Sequence, residues 1–430
     1  MNIAKILIIG SVVLLIVFVF LIYLGVVPGL KFQFQNVPPA DLEIWGVFDD
    51  SDAITPLIQA FQAKNPNVNI VYRKKSVQDY EDELIRAFAV GKGPDIFMIH
   101  NSWVSRYKDL LTPAPQDIIS LNDFRRDFVD VVQKDFTKGG IIYGLPLYVD
   151  TLALYYNVDL FNSAGLIEPP KDWDEFEIYS KTLTKKTSTG DILVSGAAFG
   201  SGRNVLNSVD LLSLLMIQRG SKISDESGKI IFDTEKTGGA ADALDFYTKF
   251  AKPENSSYAW SQNFVNDSQD MFAQGRAAMM FGYSYTRNSI LSKAPRLRFA
   301  VSYMPQIKDS VFKKNYANYW GYGVYVKSQY PTTAWSFLKF LAEPKNAGFY
   351  LAGIKSPASQ KSILLTQQSD PNLAVFADQA LTADSWLQLN NNIISDFLES
   401  MIDHQVVSEQ SAVIALRKAA SDINSKILSK

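Results

Sequence analysis

Residues 139–157, GGIIYGLPLYVDTLALYYN, constrain the fold more than any other stretch, because the remaining segments make sense as two lobes on either side of them. Two apolar runs, 141–147 and 152–156, enclose the polar pair Asp150 and Thr151. Ile142, Tyr143, Val149 and Tyr155 supply the β-branched and aromatic bulk of buried strands, while Gly144 and Pro146 mark a bend. An acid between two such runs is expected to face a polar cleft or to be paired, since burying a bare carboxylate is very costly. A solvated turn is the plainer alternative.

The chain before this stretch alternates regularly. Residues 42–48 read as a strand that ends in the acidic run 49–52. Ile54, Leu57, Ile58 and Phe61 then repeat at helical spacing, with Asp52 as a cap and Pro56 in the first turn. Residues 68–72 form a second alternating strand, Tyr80, Leu84 and Phe88 a second helix stopped near Gly91, and residues 95–99 a third strand. Strand, helix, strand, helix, strand predicts a parallel sheet with crossover helices. Ligands bind beyond the carboxyl ends of such strands, which places Phe48 and Asp49, and His100, Asn101, Ser102 and Trp103, at the ligand edge.

Beyond residue 157 the spacing predicts helices over 175–183, 209–216, 240–250 and 332–341 and an apolar strand over 194–202 that runs into Gly-Ser-Gly. That cluster lacks the pattern of a phosphate loop and reads as a turn. Residues 223–231 read as a surface hairpin, and residues 318–326 as an aromatic, glycine-rich strand. Two helices close the chain. The stripe Val413, Leu416, Ala420, Ile423 and Ile427 in the second is expected to pack on its own lobe rather than in a coiled-coil dimer, which makes the chain a monomer.

At 430 residues the chain is too long for one ordinary core, so two lobes are expected. The hydrophobic share of 47% excludes a mostly disordered chain, and a net charge of −2 without a basic stripe gives no case for nucleic acid. There are no cysteines, hence no disulfide, no thiolate metal site, no cysteine nucleophile and no lipid-attachment thiol. His100 and His404 lack metal-ligand spacing; neither metal nor cofactor is expected. Residues 6–30 carry no charge. We read 6–28 as one uncleaved transmembrane helix in the lipid bilayer, since a cleaved signal would have a shorter apolar region and an A-x-A-like site. Residues 1–5 are then a cytoplasmic stub, 29–40 a tether, and the rest a domain on the extracellular or periplasmic side of a single-pass protein.

The run Gly140, Tyr143, Gly144, Pro146, Asp150, Leu154, Tyr156 and Asn157, with Asp159, Leu160, Phe161, Ala164, Gly165, Pro169, Pro170 and Trp173, resembles the signature of bacterial extracellular solute-binding proteins of family 1. These are ABC-importer sugar-binding proteins similar to maltose-binding protein. The stretches 272–280, FAQGRAAMM, and 352–359 resemble two further family motifs, although the second has one extra residue before its proline. The resemblance implies an α/β, two-lobed periplasmic-binding-protein fold of type II with hinge crossovers, near 148–151, 320–323 and 353–357. The lobes would be 41–148 with 323–351, and 149–322 with 352–430. It also implies an acid at Asp150 that holds sugar hydroxyls, and a solute handed to ABC-transporter membrane subunits. Aromatics recur at predicted strand ends and crossovers: Trp45, Tyr148, Tyr283, Tyr285, Trp320, Tyr322 and Trp386. Family members often carry a stacking tryptophan where this chain has Tyr283 and Tyr285, and the sequence leaves the choice between them open. Aromatic faces with a few carboxylates and amides suit a carbohydrate. Two other readings compete with capture for import: a solute-sensing receptor, and a glycoside-active enzyme pairing Asp150 with Asp49 or Asp50. No other catalytic motif is present, so we expect no enzyme.

Overall fold

The computed structural model describes residues 37–234 and 238–427. The apolar run 6–28 and most of the tether lie outside them. No helix among the described residues is long and apolar enough to cross a membrane.

The first sheet is built as the alternation predicts. β1 (Ala40–Gly46) pairs in parallel with β2 (Val68–Lys74) and β3 (Ile96–His100). Helix α1 (Ser51–Lys64) connects β1 to β2, and α2 (Tyr80–Ala89) connects β2 to β3. Ile54, Leu57, Ile58 and Phe61 of α1 and Tyr80, Leu84 and Phe88 of α2 are all buried. The expected cap is shifted: Asp50 occupies the cap position and Asp52 the first turn, where a carboxylate still complements the helix dipole. A fourth strand from far along the chain completes this sheet.

The second sheet has β4 (Ala153–Asn157) at its centre, antiparallel to β5 (Met279–Gly282) and β6 (Phe299–Ser302). β4 is covered on both faces, and Ala153, Leu154 and Tyr155 have no exposure. Between β4 and β5 runs α3 (Ser208–Gln218), buried along most of its length as its apolar sequence predicts. The strand that completes the first sheet is β7 (Trp320–Val324), antiparallel to β3, and α4 (Asn391–Val407) lies near the chain end.

Two expected strands are largely irregular. Of 141–147 only Ile141–Ile142 is strand, because Leu145 exchanges its two backbone bonds with Tyr322 in an isolated bridge and Pro146 has no N–H for a ladder. Of 194–202 only the end of Ile192–Val194 is regular; Ser195 bridges Ala277 singly and Ala198 donates to Met279.

The buried side chains fall into two hydrophobic cores. One holds most of the core residues from Ala40 to Val149 and from Ala317 to Leu364, with Ala377 and Ala380, and the other runs from Leu152 to Tyr316, takes in Phe376 and resumes at Trp386. The chain therefore changes core between Val149 and Leu152, again between Tyr316 and Ala317, and a third time between Leu364 and Trp386, where Phe376 packs in the second core and Ala377 and Ala380 in the first. These crossings lie side by side: Asn318 N donates to Asp150 O at 3.1 Å, Leu152 N to Tyr316 O at 3.2 Å, and Ala317 N to Asp384 O at 2.9 Å. The third connection thus lies within 364–386, where Ala383–Asp384 pairs with Asn315–Tyr316, and not at the expected 353–357. Residues 357–359 bond back into the first core instead, through Val149 N to Pro357 O and Ser359 N to Leu147 O, both 3.1 Å. Ala358, Leu364, Ala377 and Ala380 accordingly pack with the first core, although they lie within the stretch 352–430 expected of the second lobe.

Candidate functional site

A cavity of about 650 Å³ opens where the two cores meet. Phe48 and Asp49 reach it from the carboxyl end of β1, Trp320 from the start of β7, Tyr148, Asp150 and Asn318 from the first two crossovers, and Tyr285 from the segment after β5. Parallel strands and crossovers bring these residues together from positions over 230 residues apart, which no local pattern could do.

Asp150 lies at the centre of this arrangement. Its carboxylate accepts from Thr151 N at 2.9 Å, from Ser284 N at 3.1 Å and from Ser284 Oγ at 2.7 Å. Burial nevertheless pushes it up to about 7, against the lowering effect of those hydrogen bonds. Asp49 is likewise buried, and its Oδ2 accepts from the hydroxyls of Tyr322 at 3.0 Å and Tyr350. Burial raises it too, although the two tyrosines and the Lys74 charge act in the other direction. Trp320 is the aromatic wall. Its ring sits 4.9 Å from Trp103, 5.2 Å from His100 and 5.5 Å from Phe48, all edge to face.

Beyond this cavity the two cores are joined by polar side chains. His100 at the end of β3 faces Asn318 Oδ1 with Nε2 at 2.9 Å, and Asn391 Nδ2 with Nδ1 at 3.1 Å. Ser102 Oγ lies 2.7 Å from Asn391 Oδ1 and 2.8 Å from His100 Nδ1, and the Ser102 backbone N–H donates to Nδ1 at 3.3 Å. Nδ1 therefore accepts and Nε2–H donates. Burial depresses His100 to about 4, in keeping with a neutral ring. Asn318 Nδ2 passes on to Asp210 Oδ2 at 3.3 Å, which also accepts from Tyr283 at 2.6 Å. Asp135 is a second acid at this junction, holding Asn101 Nδ2 and the Tyr319 hydroxyl at 2.9 Å each and Ser385 Oγ at 2.5 Å. Desolvation raises it to about 6. Lys134 adds an ion pair to Asp384 at 2.6 Å. On this side lies another cavity, of about 740 Å³, lined among others by Asn101, Asp135, Asp384 and Trp386.

The sequence candidates are thus distributed. Asp49, Tyr148, Asp150, Tyr285 and Trp320 line the first cavity, and Asn101 and Trp386 line the second. Of the two tyrosines after β5, Tyr285 faces the cavity and is 61% exposed, while Tyr283 is buried behind it, its ring 5.9 Å away and nearly parallel. Tyr322 backs Asp49 from within the first core. Trp45 lines neither cavity; its indole N–H donates to Glu43 and Lys75 lies 3.8 Å above its ring. His100 lies at the ligand edge expected past the third strand, and Asn318 opens the aromatic strand 318–326; Asp135, Asp210 and Asn391 were not singled out from the sequence. A lone acid in an otherwise apolar helix could have flagged Asp210, because such an acid must find partners. Nothing local distinguishes Asn391.

Two α/β lobes meeting across a polar and aromatic cavity, with the chain crossing between them side by side, define a cleft-type binding protein. The family model for bacterial extracellular solute-binding proteins matches residues 46–348, and the chain belongs to that family. A binding protein of Brucella abortus (strain 2308) is 25% identical over 252 residues, which cover 57% of this chain and 58% of the Brucella protein. The match therefore spans less than two thirds of that relative's own length. A galactooligosaccharide-binding protein of Bacillus subtilis (strain 168) is 21% identical over 375 residues, covering 81% of this chain and 84% of the relative. In fold the chain is similar to a cyclo/maltodextrin-binding protein solved with maltotetraose, at a TM-score of 0.75 and 19% identity over 91% of this chain and 98% of the other. It is also similar to an ABC-transporter solute-binding protein of Thermotoga lettingae solved with α-D-tagatose, at a TM-score of 0.70 and 23% identity over 90% and 99%.

Proposed function

We propose that this chain captures a mono- or oligosaccharide in the cavity between its lobes, hands it to the membrane subunits of an ABC importer, and performs no chemistry on it. The cavity of about 650 Å³ carries the reading, since its aromatic walls and few placed polar groups have the size and make-up of a small-molecule site. Sugar C–H faces pack on Trp320 and Tyr285, while Asp49, Asp150 and Asn318 serve the hydroxyls. The sugar ligands named for the Bacillus relative and for the two solved structures support the same class. Residues 6–28 would anchor the domain outside the cell, with 1–5 inside and 29–40 as tether. We place the lobe boundaries at the crossovers, the first lobe starting near residue 41 and the second entered after residue 149.

Titration of the full chain with a panel of mono- and oligosaccharides, read by thermal shift and by product analysis, tests this proposal. Stabilisation without product is expected. Turnover of any sugar would overturn the binding role, and extraction of native protein lacking residues 1–28 would overturn the anchor.

A further inference from the structure

We propose that the solute is positively charged: it presents a protonated amine to the acidic cavity between the lobes. The inference rests on that cavity being the binding site. Of the 13 residues that line it, four are aspartates, Asp49, Asp50, Asp52 and Asp150, and none is lysine, arginine or histidine. The nearby cations are engaged or turned elsewhere. Lys74 pairs with Asp50 at 2.5 Å from outside the lining, and Arg287 and Lys355 line a neighbouring groove of about 580 Å³.

A neutral sugar needs both donors and acceptors, because each hydroxyl gives one hydrogen bond and accepts others. Here four carboxylates present eight acceptor oxygens, against five lining side chains that can donate: the Asn318 amide, the Ser356 hydroxyl, the hydroxyls of Tyr148 and Tyr285 and the Trp320 indole. Asp49 and Asp150 are both buried, and no cation lines the cavity beside them; burial accordingly raises both. A bound ammonium group would supply the missing charge and lower the cost of keeping both acids ionised. The remaining wall suits a cation equally well. Phe48, Tyr148, Tyr285 and Trp320 present π-systems, and an ammonium over such a face is attracted by the ring quadrupole. An amino sugar joins this chemistry to the carbohydrate reading, whereas an aliphatic polyamine would satisfy the charge alone.

Calorimetric titration of the full chain in detergent at pH 7 distinguishes these cases with four probes: the glucosamine disaccharide with free amines, its N-acetylated counterpart, cellobiose, and spermidine. The free-amine disaccharide is expected to bind at least ~10-fold more tightly than the two neutral sugars. That preference should shrink with added salt and fall about two- to threefold in Asp52→Asn, at an exposed position. Asp150→Asn should remove most of it, with the ligand-free melting curve confirming that the variant is folded. Neutral sugars binding as tightly as the amine would overturn the charge assignment and leave the carbohydrate reading standing. Spermidine binding with no sugar bound would do the reverse. Binding of none of the four would overturn both.

Discussion

At the residue scale the acids at the lobe junction are held by many hydrogen bonds yet remain costly to ionise. Asp150 has a folded value of about 7 against ~3.9 for an unfolded aspartate, so the folded chain holds this proton more tightly. Its contribution to stability is therefore present at low pH and is lost as pH rises through about 7. His100 has the opposite sign: its folded value of about 4 lies below the usual ~6.5, so its contribution is present above that and lost as pH falls through about 4. Comparing the ligand-free chain with Asp150→Asn isolates the first effect. The parent is expected to lose several degrees of melting temperature between pH 5 and pH 8 that the variant retains, and equal losses would show that the carboxylate is not the group titrating. Trp320→Ala should weaken solute binding at least ~10-fold, and it should also cost about 2–4 kcal/mol of ligand-free stability, because the ring packs on Trp103, His100 and Phe48. Chemical denaturation of both chains measures the second quantity.

At the scale of elements, β7 shows how closely the return crossover is fitted. A Cβ on Gly321 would lie 2.8 Å from the Phe136 ring and 2.9 Å from Pro146 N, while one on Gly144 would lie 2.6 Å from the same ring. The two glycines let the strand and the stretch before the first crossover press on either side of Phe136. Gly321→Ala is therefore expected to destabilise the chain by about 1–3 kcal/mol through overpacking. Gly348→Ala is the control, since nothing lies within 4 Å of its added Cβ. Paired melting curves check the contrast.

At the scale of the whole molecule, the cores are joined both by the crossovers and by the His100, Ser102 and Asn391 contacts, with Lys134 to Asp384 beside them. The crossovers are continuous chain, but the side-chain contacts can part and re-form when hinged lobes move over microseconds to milliseconds. Asn391→Ala removes the amide that joins α4 to β3. Small-angle scattering is expected to show a larger ligand-free radius for this variant than for the parent, and a smaller radius for both at saturating ligand. Unchanged radii in all four samples would refute the hinge.

What the sequence determined by itself was everything that depends on local period and on chain length. The alternation of Leu42 and Ile44 with α1 and α2 required a parallel sheet, 430 residues required two cores, and the acid Asp150 between apolar runs required partners. The ligand edge was legible because it lies just past the ends of β1 and β3. The irregular path of 143–149 was not, since those residues bond to Tyr322 and to the segment around Pro357, which are distant in sequence. The third crossover was misplaced for the same reason: Asn315–Tyr316 is what turns Ala383–Asp384 into a strand. Tertiary structure alone decided that Tyr285 faces the cavity while Tyr283 is sealed behind it, and that Trp45 belongs to the first core. It alone paired His100 with Asn391, 291 residues away. Burial and hydrogen-bond partnership of a polar side chain are properties of everything that surrounds it, and this site is surrounded by segments of both lobes that are distant in sequence.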